Sequence, residues 1–151
     1  MRLPLALFAA LLASTAVAEE AAVPDGFVVA VKVSRYLSHM KRLVEPEEPI
    51  ARFVERASAL GPRLGPALLQ LPPDFTRDDN RLRRVLERWP ANLRLAVEFR
   101  HRSWFDNDVF ALLAAHGVAL CLTDRRGPRE PLVATAPWGY VRLHQGTASP
   151  E

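Results

Sequence analysis

Short apolar runs alternate with amphipathic segments along this chain, and that alternation admits few folds. Residues 27–34 (FVVAVKVS) are rich in β-branched side chains and follow the turn chemistry of Pro24, Asp25 and Gly26, so they read as a strand. Residues 67–71, 94–101, 118–124 and 138–144 read the same way. Between them, residues 50–60, 78–89 and 108–116 place apolar side chains at helical spacing. The stripes are Ile50, Phe53, Val54, Ala57 and Leu60, then Leu82, Val85, Leu86 and Trp89, then Val109, Leu112 and Leu113. Gly61-Pro62 and Gly117 close the first and third. Connections of this size are what parallel strands require. The pattern predicts an α/β fold with about five parallel strands and three main helices, the last two strands being joined by a loop. The near-continuous hydrophobicity of residues 27–34 further predicts burial on both faces. No strand is followed by a Gly-rich phosphate loop, which counts against a dinucleotide-binding or P-loop protein.

Side chains alternate across a strand with a period of two. In residues 94–101, Leu95, Val97 and Phe99 share one face, while Ala96, Glu98 and Arg100 share the other. The same phase recurs along the chain: a polar residue lies near the end of each strand, opposite its bulky apolar set. These residues are Lys32, Gln70, Glu98 with Arg100, Asp124, and Arg142 with His144. In a (β/α) barrel the apolar set packs under the helices and the inward side chains meet at the mouth, at the carboxyl ends of the strands. An open parallel sheet gathers its ligands at the same edge. Buried charge is costly unless it is paired or binds something.

Two accounts of these residues stand. They pair with one another, Lys32 or Arg100 with Glu98 and Arg142 with Asp124, as a structural layer; or they line a ligand site. Repetition of one phase over five strands favours the site, and the excess of cations favours an anionic ligand such as a phosphate or carboxylate. In that reading Glu98 and Asp124 are candidate general bases and His144 an acid or base, with Lys32, Gln70, Arg100, His101 and Arg142 binding substrate. Glu98, Asp124, His144 and His101 are suitable metal ligands, but Arg100 and Arg142 would repel a cation, so neither a metal nor a cofactor is expected. His39 and His116 read as surface or helix-end residues.

The net charge of +3 does not by itself imply a nucleic-acid partner, because the basic residues are interspersed with acids. Eighteen of the 20 basic residues are Arg, and Arg81, Arg83, Arg84 and Arg88 read as the solvated face of their helix. The single cysteine, Cys121, excludes an internal disulfide and lies in an apolar run, as a buried inert thiol would.

The amino-terminal stretch differs from the rest. Arg2 precedes an apolar run from Leu3 to Leu12, and Ala16 and Ala18 stand at the small-residue positions before Glu19, the layout of a signal peptide over residues 1–18. Residues 19–26 then serve as a linker, residues 27–145 as the domain and residues 146–151 as a polar tail. A leader of this kind implies a secreted or periplasmic protein. The run is too short for a comfortable membrane span.

Several stretches resemble the YecE-like family, domain of unknown function 72. They include PDGF with AVKVSRYLSH, then PEEP, LGPALLQLPP, AVEFRH, SWF, HGVALC and YVRLH. The resemblance implies a TIM-type (β/α) barrel, a cytoplasmic location and no settled activity. It carries Lys32, Ser34, Arg35, His39, Gln70, Glu98, Arg100, His101, Trp104, Phe105, Asp124, Arg142 and His144 over as motif residues. Family members begin with two further β-α units and continue past the last motif, so a partial barrel is expected. Its five strands would leave open edges through which copies could associate, since a complete barrel takes roughly 250 residues.

Three functional readings follow. The first is an anionic small-molecule site with acid/base chemistry. The second is a nucleic-acid-binding barrel, with stacking by Tyr36, Trp104 or Trp138. The third is an inactive truncated fragment, or one that works only when another chain completes the barrel.

Overall fold

The computed structural model describes residue 24, residues 26–124 and residues 130–143. The expected leader over residues 1–18, most of the linker, His144 and the tail lie outside the described residues. Five parallel strands run β1 (Val29–Lys32), β2 (Leu64–Gln70), β3 (Leu95–Glu98), β4 (Ala119–Thr123) and β5 (Tyr140–Arg142), adjacent in chain order. Three α-helices alternate with them: α1 (Glu47–Ala57), α2 (Asp79–Arg88) and α3 (Asn107–Ala115). The result is a curled half-barrel, the α/β architecture that the alternation predicts. No helix among the described residues is long and apolar enough to cross a membrane.

Helix ends follow the local chemistry. Glu47 and Glu48 occupy the first turn of α1, where carboxylates suit the positive end of the helix. Asp78 caps α2 by accepting from the Arg81 N–H, and Asp106 caps α3 by accepting from the Asp108 N–H. Gly117, with φ of +63°, ends α3 in the left-handed conformation that a β-carbon would disfavour. The arginines of α2 form the expected solvated face. Arg84 and Arg88 both reach Glu47 on α1, at 3.0 and 3.5 Å.

The core lies between the outer face of the sheet and the helices. Ala67, Leu69, Leu71, Leu95, Val97, Phe99, Val118 and Leu120 pack there against Phe53, Leu82, Val85, Val109 and Leu113. Trp104 is fully buried, stacked on Phe99 at 4.9 Å and edge-on to Phe75 at 5.6 Å, and its indole N–H donates to the Phe75 carbonyl at 2.7 Å. It is therefore a core residue and cannot stack on a base, which removes one of the expected nucleic-acid contacts.

Below the polar strand ends, the inner face is made mostly of small residues. Leu68, Ala96, Ala119 and Cys121 are buried there, and Ala136, Trp138 and Tyr140 pack over them. The short side chains leave room for the Trp138 ring, which also receives the Arg94 guanidinium at 5.4 Å. A floor is thus laid inside the half-barrel. Burial pushes the Cys121 thiol up to about 12, so the inert thiol expected from the sequence is what the structure holds.

The edge strands differ from expectation. In β1 the inner face, Ala30 and Lys32, is exposed, and Phe27 and Val28 just before it are each 52% exposed. Hydrophobicity alone predicts burial on both faces, but β1 ends the described sheet and has a neighbour on one side only. On the other edge, Thr135 does the work of a strand residue. Its hydroxyl accepts from the Leu120 N–H at 2.8 Å and donates to the Val118 carbonyl at 2.7 Å, satisfying β4 ahead of its pairing with β5.

Candidate functional site

The strands that build the sheet also set the positions of the polar residues at their carboxyl ends. Gln70 and Glu98 are register partners on β2 and β3, and both are buried. Glu98 has no exposed surface, so its carboxylate needs internal partners, and three reach it. Gln70 Nε2 donates to Oε1 at 2.8 Å, and Arg100 Nε donates to the same oxygen at 3.1 Å. Arg142 reaches Oε2 from β5, across the intervening β4. The orientation of the Gln70 amide is thereby fixed, and its oxygen accepts from Lys32 Nζ of β1 at 2.7 Å. One connected network therefore spans four strands.

Charge follows from this connectivity. Burial pushes the Glu98 carboxyl up, but the hydrogen bonds from Arg142, Gln70 and Arg100 outweigh it and hold the group below the usual glutamate range. Glu98 is accordingly a carboxylate at neutral pH. The Lys32 pKa is lowered as well: partial burial and the Arg142 and Arg100 guanidiniums lower it, with Glu98 opposing. Two guanidiniums meet the one Glu98 carboxylate, Lys32 joins them through Gln70, and the Arg100 and Arg142 side chains remain 25% and 30% exposed. Both arginine side chains are thus only partly covered.

His39 belongs to this neighbourhood, although its sequence setting suggests only a surface or helix-end residue. Residues Tyr36–Met40 form a π-helical turn after β1, in which the Lys41 N–H donates to the Tyr36 carbonyl at 2.8 Å. The half-buried imidazole lies at the end of that turn. Burial and the charges of Arg35, Lys32 and Arg100 lower its pKa, so it is neutral at pH 7. Ser38 Oγ lies 2.8 Å from Nδ1 and donates to the Ser34 carbonyl at 3.4 Å. The Ser38 hydroxyl thus holds the imidazole by its Nδ1. The sequence signal for this was weak, because a single inserted residue in a helical turn leaves no periodicity to read.

The turn is anchored from outside the sheet. Arg42 and Leu43 adopt φ of 48° and 66°, an unfavourable region for side chains of their size. Burial of Leu43 in the core and a double hydrogen bond from Arg42 to Asp74, at 2.9 and 2.7 Å, oppose that strain.

The remaining expected residues fall close by. His101 Nδ1 accepts from the Ser103 N–H at 3.2 Å, capping the 3-10 turn Arg102–Trp104. Ser103 Oγ accepts from the Arg77 N–H at 2.8 Å, which ties that turn to the loop after β2. One nitrogen of His101 is thus structural. Asp124 follows β4 and is exposed, and its N–H donates to the Arg142 carbonyl at 3.4 Å. His144 lies outside the described residues. Among the described residues no group of three or more His, Cys, Asp or Glu is placed to hold a metal ion.

The sequence profile described as "Protein of unknown function DUF72" matches residues 8–151. The UPF0759 protein YecE of Escherichia coli K12 is 33% identical over 82 residues, which cover 54% of this chain and 30% of that protein. A crystal structure of a DUF72 family protein from Thermotoga maritima MSB8 superposes with a TM-score of 0.73 at 27% identity, covering 87% of this chain and 54% of that one. A second, from Enterococcus faecalis V583, gives a TM-score of 0.66 at 23% identity over 90% of this chain and 62% of that one, a likeness of fold. The chain thus spans less than two thirds of the length of each of these relatives.

Proposed function

The chain belongs to the DUF72 family of proteins of unknown function, and from that premise we propose that the carboxyl ends of its strands bind a small anionic compound, a phosphate or a carboxylate. The observation that carries this reading is the buried Glu98, which gathers two guanidiniums around one carboxylate while leaving each partly exposed. A purely structural layer would balance its charges. Here two guanidiniums face one carboxylate, and Lys32 joins the same network through Gln70. Each guanidinium is a five-donor fork, and the bond to Glu98 occupies only part of it.

Glu98 then acts as the organiser of the cations rather than as the group that moves protons, since its oxygens are committed to three donors. Proton transfer is assigned to the neutral His39 and to Asp124 at the end of β4. Calorimetric titration of the protein with inorganic phosphate and with acetate tests the reading. Saturable binding that Arg142→Ala removes, in a variant that keeps its circular dichroism, is the expected result. Absence of binding by either anion contradicts it.

A further inference from the structure

We propose that Lys32 is a nucleophile whose side-chain amine condenses with the carbonyl carbon of a small compound that also carries an anionic group, forming an imine at the mouth of the half-barrel. The proposal rests on the anion-site reading and names the substrate class for that site.

The first argument is the choice of residue. The chain has only two lysines, Lys32 and Lys41, against eighteen arginines. For a permanent anion clamp Arg is the better side chain, being forked and always charged, whereas Lys can lose its proton and expose a lone pair. At the mouth, two of the three cations of the network are Arg and the third is Lys.

The second is the partner that the amine is given. Lys32 Nζ donates to the neutral amide oxygen of Gln70 at 2.7 Å, an acceptor that serves an amine as well as an ammonium. The carboxylate that would pin it as a cation is taken by Gln70, Arg100 and Arg142. Lys41 has the opposite setting: it is bridged to the Glu45 carboxylate at 3.0 Å, and that hydrogen bond raises its pKa. Burial and the two guanidiniums lower that of Lys32. Neighbouring cations activate nucleophilic lysines in this way.

The chemistry balances without any redox partner. The lone pair of the unprotonated Nζ forms the C–N bond as the carbonyl π pair moves to oxygen, and His39 carries one proton from the nitrogen to that oxygen, giving a neutral carbinolamine. His39 then takes the remaining proton from nitrogen and delivers it to the hydroxyl, which leaves as water while the nitrogen lone pair closes the C=N bond. Arg100 and Arg142 hold the anionic group meanwhile.

The test uses the full chain and its own second lysine as the control. The protein is incubated separately with pyruvate, glycolaldehyde phosphate and uncharged propanal, each with sodium cyanoborohydride, which reduces the imine to a stable secondary amine. Peptide mass mapping then reads labelling at Lys32 and Lys41. Lys32 is expected to be labelled about tenfold or more faster than Lys41 by at least one anionic carbonyl, and about tenfold faster than by propanal, because the guanidiniums raise the local concentration of anions. Preference for pyruvate identifies a carboxylate ligand, and preference for glycolaldehyde phosphate a phosphate. Equal labelling of the two lysines by the anionic carbonyls, or equal labelling of Lys32 by charged and uncharged carbonyls, overturns the proposal. Binding of inorganic phosphate by calorimetry without selective labelling would leave the anion site standing and remove the nucleophile; failure of both removes both.

Discussion

Gln70 and Glu98 repeat in their side chains the pairing of their backbones: they are register partners on β2 and β3, and the Gln70 amide nitrogen donates to the Glu98 carboxylate at 2.8 Å. The same amide accepts from Lys32, so one buried side chain connects the cation of β1 to the carboxylate of β3. Gln70→Leu removes both bonds at nearly constant volume. It should cost about 1–3 kcal/mol in urea unfolding, the penalty for leaving a buried polar partner unmet. A variant as stable as the parent would mean that the link carries no weight.

Acid should weaken the fold through Glu98. Its folded pKa is depressed below the ordinary 4.5, so the unfolded chain takes up the proton first as pH falls. The stabilisation is therefore complete above the unfolded pKa and declines as pH drops towards the folded value. Glu98→Gln should be less stable than the parent at pH 7 by about 3 kcal/mol, since two guanidiniums lose their counter-charge, and the gap should narrow on acidification. Equilibrium unfolding at several pH values reads this, and a gap independent of pH would contradict it.

Thr135→Val should destabilise the β4 edge. The hydroxyl completes the hydrogen bonding of Leu120 and Val118, and valine fills the same space without it. A loss of about 1–3 kcal/mol is expected, with faster hydrogen exchange at the Leu120 amide, while Thr135→Ser restores protection. Unchanged exchange in the valine variant would show that solvent satisfies the edge equally well.

Gly65 sets the approach of β1 to β2. A β-carbon there would lie 2.5 Å from Val28 Cγ1 and 2.8 Å from the Val29 carbonyl oxygen, and the oxygen, being backbone, cannot move alone. Gly65→Ala should therefore cost about 1–3 kcal/mol and push β1 outward, an effect that hydrogen exchange of residues 29–33 would reveal. If protection at β1 is unaltered, the close approach is not maintained in solution.

Much of this architecture was legible because a strand constrains its own faces. Once Leu95, Val97 and Phe99 are placed in the core, Glu98 and Arg100 must face inward, and the same logic places Lys32, Gln70 and Arg142. What escaped is tertiary. Thr135 lies in a loop, and nothing in its sequence neighbourhood marks it as a stand-in for strand backbone. The π-helical turn that brings His39 towards Lys32 and Arg100 has no period of its own. Trp104 follows a charged segment and looks available for stacking, yet the Phe99 and Phe75 rings enclose it. Helix and strand limits also moved: the first helix begins at Glu47 rather than Ile50, because the two glutamates join the helix whose amino terminus they favour.

The central claim is that the anion site lies at the strand ends, around Glu98. Titration of isotope-labelled protein with inorganic phosphate, followed by amide and side-chain NMR shifts, tests it most directly. The account predicts saturable shifts in Lys32, Gln70, residues 98–101 and Arg142. Shifts confined to the exposed arginines of α2, or none at any concentration, would contradict it.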